Sequence, residues 1–198
     1  MSPDEQVVYV HSVAEAYLYL KVAPCPRCRQ GALKEKSDLT KTASAAGGWT
    51  LPTVCGKCEE ETVLHFCINP PPTRAQAGSP LINPTAQQSS AIDLLGWLTL
   101  FQAILDASQK ETNKAAGREL AYEAALCLDE ALKFYEGENE LPTDDAFFSE
   151  TSLQRFREHP ERFARSKWRE RRLLLPDKKA RTESADLLKP RPWWRFWR

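Results

Sequence analysis

Two short turns, Cys25-Pro26-Arg27-Cys28 and Cys55-Gly56-Lys57-Cys58, constrain this chain more than any other stretch of it. Each offers two thiolates at a spacing that lets both reach one ion, and four thiolates complete a tetrahedral shell. Pro26 and Gly56 follow the first cysteine of each pair, and Arg27 and Lys57 precede the second. Turn-forming residues at these places let backbone amides point at the sulfurs, while the cations offset thiolate charge. The expectation is one structural Zn2+ held by Cys25, Cys28, Cys55 and Cys58, with no coordination position left for water. A redox role needs the first cysteine at a helix N-terminus. Arg29-Gln30-Gly31 after one turn and Glu59-Glu60-Glu61 after the other argue against it. Cys67 and Cys127 lie in apolar contexts and read as buried packing residues.

The flanking sequence supplies small elements. Residues 7–10 read as a short apolar strand or cap. Ser12 and Glu15 stand at capping-box spacing, and Val13, Ala16, Tyr17 and Leu20 fall on one face of the helix that follows. Pro24 ends that helix. Residues 32–36, 49–54 and 61–68 have the alternation of strands, with a polar loop over 37–48. Knuckle, hairpin, knuckle, strand is the order of a zinc ribbon, and residues 25–67 resemble that family. The resemblance implies a small three-stranded zinc ribbon stapled by its metal.

Residues 69–90 are rich in Pro, Ser, Ala and Gln and read as an extended linker, although the embedded Pro80-Leu81-Ile82 could tuck against a neighbour. From there the apolar period becomes helical. Ser90-Ala91-Ile92-Asp93 has capping character, and Leu94, Trp97, Leu98, Phe101, Ile104 and Leu105 form one stripe. Leu120, Ala124, Cys127, Leu128, Ala131 and Tyr135 form another, after a polar break at 108–113 and before a stop near Gly137. Matching stripes across a short break predict an antiparallel helical hairpin. Phe147 and Phe148 are expected to plug its open end, and two short helices are expected over 149–158 and 161–175. The fold class is therefore α+β. An N-terminal helix plus ribbon (1–68) is joined by a Pro-rich linker (69–90) to an all-α domain (91–176) and a basic, aromatic tail (177–198).

Charge is distributed unevenly. The 27 basic and 27 acidic residues balance overall, but residues 67–149 carry a net −7 and residues 150–198 a net +8. The basic stretch 155–181 reads as solvated or docked on the acidic middle, with a nucleic-acid face as the alternative. The segment Trp193-Trp194-Arg195-Phe196-Trp197-Arg198 holds three of the six tryptophans. Such side chains need a place to be buried: the chain's own helices, a protein partner, or a membrane interface where arginines meet anionic head groups.

His11, His65 and His159 show no catalytic spacing, and no phosphate-cradling glycine loop is visible. The acidic N-terminus lacks a secretory pattern, and no apolar run is long enough to span a bilayer. The sequence therefore reads as a cytoplasmic, bacterial-type adaptor, not an enzyme and without a small-molecule substrate. Its expected partner is a protein, with a membrane surface as the other target. The alternative function is a nucleic-acid-binding regulator.

Overall fold

The computed structural model describes residues 7–41, 48–68 and 82–177. The chain divides into two compact units, Met1–Ile92 and Asp93–Arg198.

In the first unit, β1 (Val7–Val10) leads through a tight turn into α1 (Val13–Val22). Then come β2 (Leu33–Glu35), β3 (Thr40–Lys41), β4 (Gly48–Cys55) and β5 (Glu61–Ile68). The Ser12 hydroxyl accepts from the Glu15 amide at 3.1 Å, while the Glu15 carboxylate accepts from the His11 amide at 2.5 Å. The expected capping pair is thus present, with the carboxylate reaching one residue further back. Burial of α1 extends beyond the expected stripe to Ala14, Glu15 and Leu18, while Val13 is only half-buried. Tyr19 meets Phe66 edge-on with ring centroids 5.9 Å apart, so α1 packs on the sheet.

The sheet order is β1-β5-β4-β2, with β3 also paired to β4. A three-stranded ribbon is therefore too small a description. The antiparallel strands β4 and β5 are its spine, and β1 adds in parallel to the outer edge of β5, with Val7 opposite His65 and Val10 opposite Ile68. That edge would otherwise present a row of unpaired backbone groups. The pairing spans more than fifty residues of chain, which no local pattern encodes. β3 lies within the stretch expected to be a polar loop and pairs Thr40 with Thr50.

Of the stretch expected to be a linker, residues 69–81 lie outside the described residues. Residues 82–90 form a packed turn. Ile82 is buried and its carbonyl accepts from the Ser12 hydroxyl at 2.5 Å. Asn83 is buried too, accepting from the Thr85 amide and donating to the Gln87 carbonyl. Polar residues here serve as local backbone partners, the feature that composition alone reads as extension.

The second unit contains α2 (Leu94–Lys110), α3 (Lys114–Leu132), α4 (Glu150–Glu158) and α5 (Arg165–Leu173). Single 3-10 turns occur at Asp144–Ala146 and Pro160–Phe163. Asp93, not Ser90, caps α2, accepting from the Gly96 amide at 2.8 Å; Ser89 instead caps the turn before it. A connection over residues 111–113 joins α2 to α3, and Asn113 caps α3. The two helices pack closely: Gly117 lets the Ser108 carbonyl approach, and a methyl at 117 would meet that oxygen at 3.1 Å. α3 ends at Leu132, earlier than expected, and Gly137 takes a positive φ of 50° five residues on.

Along α2 the buried set is Leu94, Trp97, Leu98, Leu100, Phe101 and Ile104, so Leu105 is replaced by Leu100 in the expected stripe. Phe147 is buried in a three-ring cluster, stacked on Phe156 at 4.7 Å and edge-on to Phe163 at 5.3 Å, whereas Phe148 stays half exposed. α5 begins at Ala164, which has no capping side chain. The Glu140 carboxylate takes its place, accepting from the Ser166 amide at 3.0 Å and from its hydroxyl. Those two bonds hold the Glu140 carboxyl below its usual range. Among the described residues, no helix is long and apolar enough to cross a membrane.

Phe101 is fully buried and meets Trp168 edge-on at 5.9 Å, which ties α5 to α2. Phe101→Ala removes that contact and leaves a cavity, and should lower the unfolding free energy by about 3–5 kcal/mol. Urea unfolding followed by circular dichroism measures the loss. Metal content should not change, because Cys25, Cys28, Cys55 and Cys58 belong to the other unit.

Candidate metal centre

The first knuckle opens where α1 ends. Pro24 bridges to Ala32, so residues 25–31 form a closed loop, and the Cys25 amide donates to the Gly31 carbonyl at 3.0 Å. The second knuckle is the turn of the β4–β5 hairpin, where the Cys55 amide donates to the Glu60 carbonyl at 2.9 Å. β2 then sets them side by side, since Leu33 pairs with Cys55. One strand register therefore decides whether the four sulfurs meet.

They do meet. The four Sγ atoms all lie within 4.8 Å of one another, with Cys25 to Cys58 at 3.7 Å and Cys28 to Cys55 at 3.6 Å. A tetrahedral thiolate centre with metal–sulfur bonds of about 2.3 Å places its sulfurs about 3.8 Å apart. All six cysteines carry free thiols. These four residues can hold a metal ion, and the arrangement is compatible with zinc-ribbon-like knuckles. Among the described residues, no other group of three or more histidine, cysteine or carboxylate side chains is placed to do so.

Backbone donors prepare the sulfurs for charge. The Gly31 amide donates to Cys28 Sγ at 3.4 Å, and the Lys57 and Cys58 amides donate to Cys55 Sγ at 3.3 and 3.5 Å. The amides of Gln30 and Gly31 lower the Cys28 thiol to about 6, and those of Cys58 and Lys57 lower Cys55. Cys58 behaves oppositely. The Glu60 amide favours its thiolate, but lost hydration and the sulfurs of Cys55, Cys28 and Cys25 outweigh that and hold it up to about 12. Four crowded thiols cannot all ionise without a cation between them. Metal binding must expel the remaining protons, so affinity weakens as pH falls.

Several supporting features carry no obvious mark in the sequence. Arg29 and Glu59, each directly after the second cysteine of its knuckle, both take left-handed backbone, with φ of 58° and 57°. The two turns also exchange partners: Arg27 bonds Glu60, and Lys57 bonds Gln30. In each case the residue before the second cysteine of one knuckle holds the residue two places after the second cysteine of the other. The cations expected to offset thiolate charge therefore also tie the turns together. Gly31 is the tightest position, since a methyl there would sit 2.1 Å from Cys55 Sγ.

The remaining expected residues have other settings. Cys127 is buried and its thiol is raised well above normal, first by burial and then by Glu123 and Glu130, so it packs as an uncharged residue. Cys67 is half-buried in β5 and pairs with Gly48. His11 Nδ1 lies 3.1 Å from the Glu15 carboxylate, and His159 ends α4. Trp193, Trp194, Arg195, Phe196, Trp197 and Arg198 lie outside the described residues.

Part of the basic stretch does dock on the acidic middle. Arg157 pairs with Asp144 at 2.6 Å, Arg172 pairs with Asp129 at 2.7 Å, and Arg165 bonds the Gly137 carbonyl. Comparison of the chain with protein-family models, with curated proteins and with solved structures gave no match.

Gly31→Ala should weaken metal binding at least tenfold, because the new methyl and the Cys55 sulfur cannot share one position. Gly56→Ala is the control, since its methyl would find only ordinary contacts, the nearest at 3.5 Å. Competition against a chromophoric chelator reads both variants, and repeating it at a lower pH should weaken the unaltered protein as well.

Proposed function

We propose that this protein is a non-enzymatic, zinc-stabilised adaptor. One observation carries the reading: four sulfurs close enough to surround a single ion, which fill its shell and leave no place for a substrate or an activated water. Soft thiolate donors in tetrahedral array select zinc over harder cations. A centre of this kind stabilises a small unit and presents its surface rigidly; it does not perform hydrolysis. The chain docks through Trp193, Trp194, Arg195, Phe196, Trp197 and Arg198, whose indoles anchor in a protein partner or at a membrane surface while the arginines meet acidic groups.

Native mass spectrometry should find one zinc ion per chain, lost in Cys25→Ser and in Cys58→Ser. A stable, metal-free native protein would contradict the zinc assignment. Removing residues 190–198 should abolish recovery of the partner in a pull-down, or of the protein in vesicle flotation, with circular dichroism unchanged. Undiminished recovery would remove the docking role of the terminus.

A second reading has its own support. Arg155, Arg162 and Lys167 have no anionic side-chain partner among the described residues, and unpaired cations on neighbouring elements suit a phosphate backbone. Under that reading the protein regulates through nucleic acid, and DNA or RNA should shift in a gel at low salt and be released as salt rises.

A further inference from the structure

The three unpaired cations share a place in the fold. Together with Arg171 they stand around an open groove of about 800 Å³ in the helical unit. One wall is a continuous row on α2, running Leu95, Leu98, Thr99, Gln102, Ala103 and Asp106. The other is built by α4, the Pro160–Phe163 turn and α5, with Phe163 and Trp168 reaching toward the floor. Two acids, Asp106 and Glu158, also line it. Each is engaged by a glutamine on its own helix, Asp106 by Gln102 and Glu158 by Gln154, both one turn earlier. Four guanidinium or ammonium groups against two carboxylates leave the groove cationic around an apolar floor.

The fate of the basic residues separates this surface from the rest of the unit. Arg157 and Arg172 are neutralised by Asp144 and Asp129. Arg171 bonds only the neutral Gln102, at 3.4 Å, and lies 5.3 Å from the centre of the Trp168 ring. Lys167 also lies over that ring, at 5.4 Å. Those contacts leave both charges open to an incoming anion while fixing where they stand. Trp168 and Phe163 are themselves only 8% and 4% exposed, so neither offers a free face on which a nucleic-acid base could stack. The concave shape does not suit a flat bilayer. A wall on which Leu95 and Ala103 alternate with Thr99, Gln102 and Asp106, with cations along its rim, suits a helix that carries apolar residues on one face and acids beside them.

We infer that this groove binds an acidic amphipathic helix from a partner protein. The inference rests on the interaction-protein reading above and assigns it a second surface, separate from the C-terminal residues.

The test uses the full chain and a fluorescein-labelled helical peptide of alternating Leu and Glu faces. About 14 residues span roughly 20 Å as a helix. Fluorescence anisotropy should show binding that the double change Arg155→Glu with Lys167→Glu weakens about tenfold or more. Ala103→Trp should weaken it comparably without altering charge, since Ala103 is exposed and a large ring there fills the groove. A peptide with Lys in place of Glu should prefer the doubly reversed variant. Ala103 and Arg155 are exposed and Lys167 is half-buried, and circular dichroism confirms that the variants fold.

The inference is overturned if a scrambled peptide of the same composition binds equally well, or if Ala103→Trp leaves binding unchanged. It is also overturned if a single-stranded oligonucleotide binds and the peptide does not. Binding that emerges only after removal of residues 178–198 would give the groove to this chain's own C-terminal segment and likewise overturn it. The adaptor reading fails separately. If the peptide does not bind but removal of residues 190–198 still abolishes partner recovery, the groove assignment alone falls. If the peptide binds and that removal changes nothing, the terminal docking role falls and the groove stands.

Discussion

The pairing of Leu33 with Cys55 is the contact on which the first unit turns. It is one register among those a short β2 could adopt, and it places the loop closed by Pro24 and Ala32 beside the tip of the β4–β5 hairpin. A slip of one residue would turn every side chain of β2 to the other face and pull the first knuckle from the second. A strand of three residues specifies register weakly by itself. The observed register is the one that gathers four sulfurs within 4.8 Å, so the cysteine cluster adds a constraint that the short strand lacks. An ion bound by those sulfurs would hold the same strand pairing, so its affinity would add directly to folding.

The knuckles themselves are prepared for that event by exchange. Arg27 with Glu60 and Lys57 with Gln30 relate the two turns almost symmetrically, and the left-handed residues Arg29 and Glu59 occupy equivalent places. Exposed pairs of this kind add little stability one by one. Their effect here is orientation: each holds the opposite turn at the angle where backbone amides face sulfur. Gly31 shows how little room remains, since its neighbour is the Cys55 sulfur itself.

In the helical unit the organising constraint is charge disposed over a packed aromatic floor. Phe147, Phe156 and Phe163 lock α4 and the 3-10 turn together, and the Tyr135 hydroxyl donates to the Phe163 carbonyl at 2.8 Å. Trp168 holds α5 against Phe101. With those elements fixed, arginines close in sequence meet different surroundings. Arg172 reaches Asp129 on α3, while Arg171, one residue away, faces the groove. Successive helical positions point about 100° apart, so neighbours in sequence become strangers in space. The net charge of a segment therefore says little about which of its members is available.

The four candidate cysteine ligands were legible in the sequence because the geometry that a Cys-x-x-Cys turn imposes is local. The α2 stripe was legible for the same reason, through its 3.6-residue period, and so was the division of α4 from α5 at His159-Pro160. What lay beyond reach depends on residues far apart in the chain. The parallel seat of β1 on β5, the need for glycine at 31, the partner exchange between knuckles and the packed turn over 82–90 all arise across the fold. Composition read that last stretch as a spacer, since it registers Asn83 and Thr85 as polar without showing that they bond the backbone around them. The sequence by itself determined which atoms could bind an ion and most of the buried face of α2. Only the tertiary structure decided that those atoms converge, and which cations stay unpaired, because convergence and pairing are properties of distance in space.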